Sequence, residues 1–174
     1  MRMFKDYMLA IVTFCAEECK RQGSGEESVA WMVKAYNYAL ERFAIDKTVT
    51  DEDILTLAKM IEPKKNAGGY RLVPVTVRGQ VIPWQNIRRQ MDNLLEAQDR
   101  IGIDDTNTAE DSDPEEAARK RYTANATAFY TELEKIHGLL DGNGRLGAIL
   151  FNVKNGTLNQ PVAAPDVFRT ESGC

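Results

Sequence analysis

The 174-residue chain is poor in the residues that build metal sites and disulfide frameworks. It contains one histidine and three cysteines, and no two cysteines have the Cys-x-x-Cys spacing. Three cysteines cannot form a complete set of disulfides, so we expect the protein to work in a reducing compartment. A single histidine and no Cys-x-x-Cys pair also argue against a dedicated zinc site.

Two further absences narrow the class of protein. No run of 18 apolar residues occurs in the sequence, so no membrane-spanning helix is predicted. Basic residues do not dominate either, because 22 Lys and Arg against 26 Asp and Glu give a net charge of −4. A nucleic-acid-binding protein is expected to carry a strongly basic face. We therefore expect neither nucleic acid nor a membrane as a partner.

Apolar residues at helical spacing dominate the remainder of the chain. With 43% hydrophobic residues, the chain is long enough to bury a core, and we expect one domain over residues 1–174. Thr50 and Asp53 have the spacing of a capping box, and Pro63 ends the helix that they begin. An acidic stretch at 102–114 predicts a solvated loop. The predicted helices cover about residues 4–20, 28–43 (opened by Ser24 or Ser28), 50–62, 84–99, 114–137 and 143–155.

A short β-hairpin is predicted between the third and fourth helices. The valine-rich run at 70–82 has its bend near Gly79. Pro74 and Pro83 restrict its strands to edge positions, because proline has no N–H to donate to a neighbouring strand. Two strands alone are not stable, so we expect the hairpin to lean on the helices as a flap. The predicted fold class is therefore mainly α with a small β-hairpin.

The stretch from His137 to Arg145 has the pattern of an anion-binding site. It predicts a helix, a tight loop and a second helix. Gly142 and Gly144 leave backbone N–H groups uncovered where the second helix begins, and such a helix start attracts anions. Asn143 adds an amide donor, and Arg145 adds a positive charge that suits phosphate oxygens.

Two reactive groups lie in the same stretch. The Asp141 carboxylate, beside a phosphate site, suits a Mg²⁺ ion. The imidazole of His137 titrates near neutrality and suits a general base. A calcium loop is excluded. With Asp141 as position 1 of such a loop, position 12 needs a glutamate, and this chain has Asn152 there. Together these groups indicate transfer of a phosphate-containing group to a hydroxyl.

The same residues resemble the signature of the Fic/Doc family, His-x-Phe-x-(Asp/Glu)-Gly-Asn-Gly-Arg-x-x-Arg. Six fixed positions match in place, namely His137, Asp141, Gly142, Asn143, Gly144 and Arg145. The order of flap and helices is similar as well, over about residues 50–165, with residues 1–49 as an N-terminal helical extension. The resemblance implies a Fic-type helical bundle with the flap over the active site.

The resemblance implies protein AMP transfer (AMPylation) with ATP as the co-substrate. His137 would deprotonate a Ser, Thr or Tyr hydroxyl of a target protein. Asp141 would hold Mg²⁺ between the α- and β-phosphates of ATP, and Arg145 would hold the β-phosphate. The residues that would line the anion hole are Gly142, Asn143 and Gly144.

The resemblance also implies partners. The flap would bind a segment of the target protein by strand addition. The flap residues expected to touch it are Tyr70, Arg71, Leu72, Val73, Val75, Val77 and Arg78. No glutamate is followed by Gly or Asn, so the self-inhibitory signature of the family is absent. A separate inhibitor or antitoxin protein stays open as a partner. The expected location is the cytoplasm of the producing cell or of an infected or recipient cell.

Three positions depart from the signature. Leu139 replaces its phenylalanine, Gly138 replaces the usual proline, and Ala148 replaces the second arginine. Without that arginine the nucleotide pose is less determined. Doc proteins also lack it and act as kinases, but they carry lysine where this chain has Gly144. Two alternatives therefore stay open: a Doc-like protein kinase, and a catalytically degenerate scaffold that binds nucleotide or a partner.

Overall fold

The structure of the protein, a computed structural model, describes residues 2–99 and 113–166. This part is mainly helical, with one two-stranded antiparallel sheet, which confirms the predicted fold class. None of its helices is long and apolar enough to cross a bilayer. The elements are α1 (Arg2–Arg21), α2 (Glu26–Arg42), α3 (Asp51–Ile61), β1 (Val75–Val77), β2 (Gln80–Ile82), α4 (Ile87–Ala97), α5 (Pro114–Ile136) and α6 (Asn143–Asn155).

The helix α6 lies at the centre of the described part. It packs against α1, α2, α3 and α5, and residues 145–154 are all buried. A helix buried on every side must satisfy its polar side chains internally. The Nδ2 of Asn152 donates to the carbonyl oxygens of Ala148 and Val162, both at 2.9 Å. The buried amide of Asn152 is therefore satisfied inside the core.

Local capping chemistry places several helix ends where the sequence predicts them. The capping box of α3 forms, since the hydroxyl of Thr50 accepts from the N–H of Asp53 at 3.2 Å and the Asp53 carboxylate accepts from the N–H of Thr50 at 3.0 Å. At the other end of α6, Gly156 is left-handed with φ 72°, as expected of a helix-ending glycine.

One predicted helix start needs a correction, and one predicted loop lies mostly outside the described residues. The helix α2 begins at Glu26, with Gly25 as its N-cap, so neither serine proposed from the sequence opens it. Ser28 lies inside the helix and is buried. The acidic loop predicted at 102–114 lies outside the described residues, apart from its last two positions.

The flap is shorter than the sequence predicts. Its strands pair Val75 with Ile82 and Val77 with Gln80, and Arg78 and Gly79 between them both have positive φ, 48° and 80°, as in a type I′ turn. Residues 70–74 are not part of a strand. This segment instead follows the α5–α6 loop, where the N–H of Arg71 donates to the carbonyl of Gly138 at 3.0 Å.

Candidate active site

The loop between α5 and α6 brings His137 and the start of α6 together. His137 follows the last residue of α5 and is left-handed, with φ 48° and ψ 53°. Gly142, the N-cap of α6, is left-handed too, with φ 78°. A Cβ at this position would lie 2.8 Å from Cγ2 of Ile61. Both the conformation and the space therefore require glycine at position 142.

The side chain of Asn143 braces this loop. Its Oδ1 accepts from the N–H of Leu139 and its Nδ2 donates to the carbonyl of the same residue, both at 2.9 Å. Leu139 is 1% exposed and belongs to the core, so leucine anchors the loop at the position where the signature has phenylalanine. Because the amide of Asn143 is used in the loop, the backbone N–H groups are the donors that the start of α6 offers to an anion.

These N–H groups have no capping side chain. The first hydrogen bond inside α6 runs from the N–H of Leu146 to the carbonyl of Gly142 at 2.9 Å. The N–H groups of residues 143–145 precede it and lack an intrahelical acceptor. The carboxamide of Gln22, just after α1, comes within 2.8 Å of the point that a Cβ of Gly144 would occupy. The start of α6 thus has one wall from the N-terminal helices.

The imidazole of His137 is half-buried next to this helix start. Its Nδ1 is buried and has no hydrogen-bond partner within the described residues. Burial lowers the pKa of His137 below its usual value; the carbonyl of Glu134 opposes this, and the nearby charge of Arg71 adds to it. The ring is therefore neutral at neutral pH and able to accept a proton.

Asp141 presents a charged carboxylate between the ring and the helix start. Its Oδ2 forms an ion pair with Nζ of Lys65, and its Oδ1 accepts from the N–H of Gly142 at 2.6 Å. Burial raises the pKa of Asp141, but the bonds from Lys65 and Gly142 outweigh it and lower the pKa overall. Asp141 is therefore an ionised carboxylate that already forms an ion pair through one of its oxygens.

Arg145 lies beneath the loop rather than on its surface. Its side chain is 1% exposed, and Nη2 lies 2.8 Å from Oε1 of Glu62, the residue after α3. The same Nη2 lies 3.4 Å from Oδ1 of Asp141, and the buried Nε has no partner within the described residues. The guanidinium is committed to a buried carboxylate, and its predicted contact with a phosphate stays a prediction.

The structure divides the predicted flap residues into two groups, the first of which forms the flap base. The hydroxyl of Tyr70 donates to Oδ1 of Asp51 at 2.7 Å. Its ring packs on Gly138, since a Cβ there would lie 3.2 Å from Cδ1 of Tyr70. Arg71 is buried, at 2% exposed. Tyr70 and Arg71 therefore join the flap to α3 and to the site loop.

The second group faces outward. Leu72 and Val73 are 71% and 49% exposed, whereas Val75 and Val77 are half-buried. Arg78 is exposed in the turn, and its Nη2 lies 4.0 Å from the carboxylate of Asp166. Among the predicted flap residues, the exposed apolar surface lies on Leu72 and Val73, and Val81 of β2 adds to it at 68% exposed.

The segment after α3 contributes contacts to the site loop that no sequence pattern indicated. Glu62 and Lys65 pair with Arg145 and Asp141. Asn66 is fully buried, and its Nδ2 donates to the carbonyl of Asp141 at 3.0 Å, 75 residues away in sequence. The only sequence signal was a run of polar residues around Pro63, which does not reveal the distant loop on which it packs.

Comparison with known proteins agrees with this geometry. The model of the Fic/DOC family matches residues 48–153, a range that holds α3, the flap, α4, α5 and nearly all of α6. The chain belongs to the Fic/DOC family. No curated protein matches the chain. Membership supports a function of the Fic type, AMPylation or a related group transfer.

The Fic loop offers one carboxylate to a metal ion. The described residues hold no group of three or more His, Cys, Asp or Glu side chains that could bind a metal. Mg²⁺ commonly takes only one or two protein carboxylates and completes its shell with phosphate and water oxygens. Asp141 fits that role, because its carboxylate is ionised and already pairs with one cation, the Lys65 ammonium.

Proposed function

We propose that this Fic protein transfers AMP from ATP to a Ser, Thr or Tyr hydroxyl of a target protein. The observation that carries the proposal is the loop at 137–142. At one end it holds the half-buried imidazole of His137, which is neutral at neutral pH, and at the other it opens a helix whose first N–H groups carry no cap. A base beside an anion site is what phosphoryl-group transfer to a hydroxyl needs.

Each group has a defined task in the proposed reaction. The start of α6 binds the negative charge of the nucleotide phosphates. His137 takes the proton of the attacking hydroxyl, whose oxygen forms a bond to the α-phosphorus. The bond between that phosphorus and the bridging oxygen to the β-phosphate breaks, and pyrophosphate leaves with the electron pair. Asp141 would hold Mg²⁺, which neutralises phosphate charge when bound.

The exposed half of the flap supports a protein as the acceptor. Leu72 and Val73 present apolar side chains next to a two-stranded sheet with open edges. An extended target segment can pair with such an edge through main-chain hydrogen bonds, which fix its register without requiring one sequence. The target hydroxyl would then lie near the loop to which Arg71 ties the flap.

One observation favours a second candidate, a scaffold without transfer activity. Arg145 is buried and paired with Glu62, and Ala148 stands where the Fic signature has its second arginine. Of the two arginines in the Fic signature, the first is therefore paired inside the protein and the second is absent. Such a protein would bind nucleotide or a partner and transfer nothing.

One labelling experiment separates these functions. The protein is incubated with a cell extract and ATP labelled on either the α- or the γ-phosphate. Label from the α-phosphate on an extract protein supports AMP transfer, and label from the γ-phosphate alone supports a Doc-like kinase. Neither label, with ATP bound in equilibrium dialysis, supports the scaffold.

The matched variant for this experiment is His137→Asn. Asparagine tolerates the left-handed conformation of position 137 better than other non-glycine residues, so the loop keeps its shape while the base is lost. We expect no transfer by this variant and an unchanged thermal unfolding midpoint. Wild-type labelling by His137→Asn would show that the imidazole is not the base.

A further inference from the structure

Arg71 is a buried cation whose hydrogen bonds all go to backbone carbonyls. Its side chain is 2% exposed. Nε donates to the carbonyl of His137 at 2.7 Å, and Nη1 donates to those of Val73 at 2.6 Å and Ile82 at 3.2 Å. Nη2 donates to the carbonyl of Pro83 at 3.1 Å. One guanidinium therefore bridges both ends of the flap and the residue that carries the base.

This arrangement differs from a buried salt bridge. The structure gives Arg71 no ion pair with any carboxylate of the described residues. A buried charge without a counterion is costly unless its donors are satisfied, and burial lowers the pKa of Arg71 accordingly. The carbonyls offset that cost only while the flap base and the site loop keep their relative position.

The bond to His137 acts at a strained point of the backbone. Non-glycine residues rarely adopt the left-handed conformation, and they keep it only where the surroundings enforce it. Arg71 binds two successive carbonyls here, that of His137 through Nε and that of Gly138 through its own N–H at 3.0 Å. The direction in which the His137 side chain leaves the backbone follows from the two peptide planes on either side of its Cα. Arg71 holds the second of these planes through the carbonyl of His137, and the N–H of His137 in the first donates to the carbonyl of Leu133 at 3.1 Å.

We propose that Arg71 is a positioning residue that sets the direction of the His137 imidazole and transmits the position of the flap to it. The proposal rests on the proposed function, in which His137 is the base. A target segment that pairs with the flap shifts the carbonyls of Val73 and Ile82. Because the same guanidinium holds the carbonyl of His137, that shift reaches the base.

The single histidine makes the proposal directly measurable. His137 is the only histidine of the chain, so its ring gives one set of imidazole NMR signals. Arg71→Lys keeps a positive charge but loses the planar fork that reaches several carbonyls. Arg71→Met removes the charge as well. The control is Arg88→Met, which removes an exposed arginine that pairs with Asp51 at 2.6 Å and lies over the Tyr70 ring, and leaves every bond of Arg71 in place.

We expect Arg71→Lys to stay folded with a lowered melting temperature, because a buried ammonium reaches fewer of these carbonyls. We expect its ring signals to move and to broaden between two tautomer or ring orientations. The signals of Arg88→Met should superimpose on those of the wild type. In the labelling assay, kcat of Arg71→Lys should fall about 10- to 100-fold, since small misplacements of a catalytic group cost that much. The KM for ATP should stay within about twofold, because the start of α6 is untouched.

A wild-type measurement keeps the proposal testable if neither Arg71 variant folds. A scalar coupling across the hydrogen bond should join ¹⁵Nε of Arg71 to the ¹³C carbonyl of His137. Its absence overturns the proposal, as do unchanged ring signals or an unchanged kcat in Arg71→Lys. If the wild-type protein transfers no AMP, the proposed function fails, whereas the coupling and the ring signals still decide whether Arg71 orients His137.

Discussion

Nη2 of Arg145 lies 2.8 Å from Oε1 of Glu62, and both side chains are withdrawn from water. The pair connects the end of α3 to the first turn of α6, directly behind the loop that carries His137 and Asp141. Arg145 also reaches the carbonyl of Ile61, at 3.4 Å. The residue type that suits phosphate thus has a structural partner inside the protein.

Loss of Glu62 should destabilise the fold strongly. In Glu62→Ala the guanidinium of Arg145 stays buried without its carboxylate, which costs about 3–5 kcal/mol when one partner of a buried pair is removed. Urea unfolding measures the change. The control is Glu132→Ala, whose partner Lys135 is exposed and whose loss should cost about 1 kcal/mol or less. Equal effects of the two variants would contradict a stabilising role for the buried pair.

AMP transfer should be lost as the pH falls below 6.5. Burial lowers the pKa of His137 from its ordinary value of 6.5; the Glu134 carbonyl and Asp141 oppose this, and Arg71 adds to it. A protonated imidazole accepts no proton, so kcat/KM should drop through the lowered pKa and stay level above 6.5. The NMR titration of the single histidine should give the same midpoint as the kcat/KM profile, which reports the free enzyme, and a midpoint above 6.5 would refute the prediction.

The lowered pKa of His137 also makes the stability of the fold depend on pH. Between the lowered pKa of folded His137 and the ordinary value of 6.5, the unfolded chain binds more protons than the folded one. Stability contributed by this group therefore rises with pH in that window. Urea unfolding of His137→Asn, compared with the wild type from pH 5 to 8, isolates this contribution.

The buried carboxyl of Glu134 should make the fold less stable as the pH rises, which is opposite to the effect of His137. It is 4% exposed, and its Oε1 has no partner within the described residues. Burial raises the pKa of Glu134 from 4.5 to about 7, against the opposing charge of Arg21 and with that of Glu18. The folded protein holds this proton where the unfolded chain has lost it, so stability falls as the pH rises through about 7.

Glu134→Gln should remove this pH dependence. We expect the variant to be about 1–3 kcal/mol more stable than the wild type at pH 8, and closer to it at pH 5. Urea unfolding at both pH values measures this, and the His137 contribution cancels because both proteins retain it. Glu132→Gln on the same helix is half-buried, not buried, and serves as the control. A wild-type stability that does not fall between pH 5 and 8 relative to Glu134→Gln would refute the prediction.

Two glycines of the site loop should respond differently to alanine. At Gly142 the φ of 78° and a Cβ 2.8 Å from Ile61 predict a loss of about 1–3 kcal/mol in Gly142→Ala. At Gly144 the nearest atoms are the carboxamide at the end of the Gln22 side chain, which can rotate away from a methyl group, so Gly144→Ala should change stability by about 1 kcal/mol or less. It should nevertheless weaken binding of a fluorescent ATP analogue, because the methyl group stands at the anion site. Unchanged nucleotide affinity would place the phosphates elsewhere.

Local chemistry explains which parts of the fold were predictable. The capping box of Thr50 and Asp53, the bend at Gly79 and the end of α6 at Gly156 depend on residues within a few positions of each other. The extent of the flap strands was not predictable in this way. Residues 70–74 leave the sheet because Arg71 binds Gly138, a contact between distant segments that no local pattern contains.

The candidate site follows the same division. The spacing from His137 to Arg145 predicts a base, a carboxylate and a bare helix start in one loop, and the structure brings these groups together. The anchoring of that loop by Glu62, Lys65 and Asn66 was missed, since these residues meet the loop only after α3 packs against α6.

By itself the sequence determined the helices, the hairpin turn and the residues of the loop, because backbone hydrogen bonding and capping depend on near neighbours. Tertiary structure alone decided what the charged side chains do. Arg71 and Arg145 are the same residue type, yet the guanidinium of Arg71 binds four carbonyls and that of Arg145 pairs with a carboxylate. A buried charge must take whatever partners distant segments bring to it, and those partners exist only once the helices have packed.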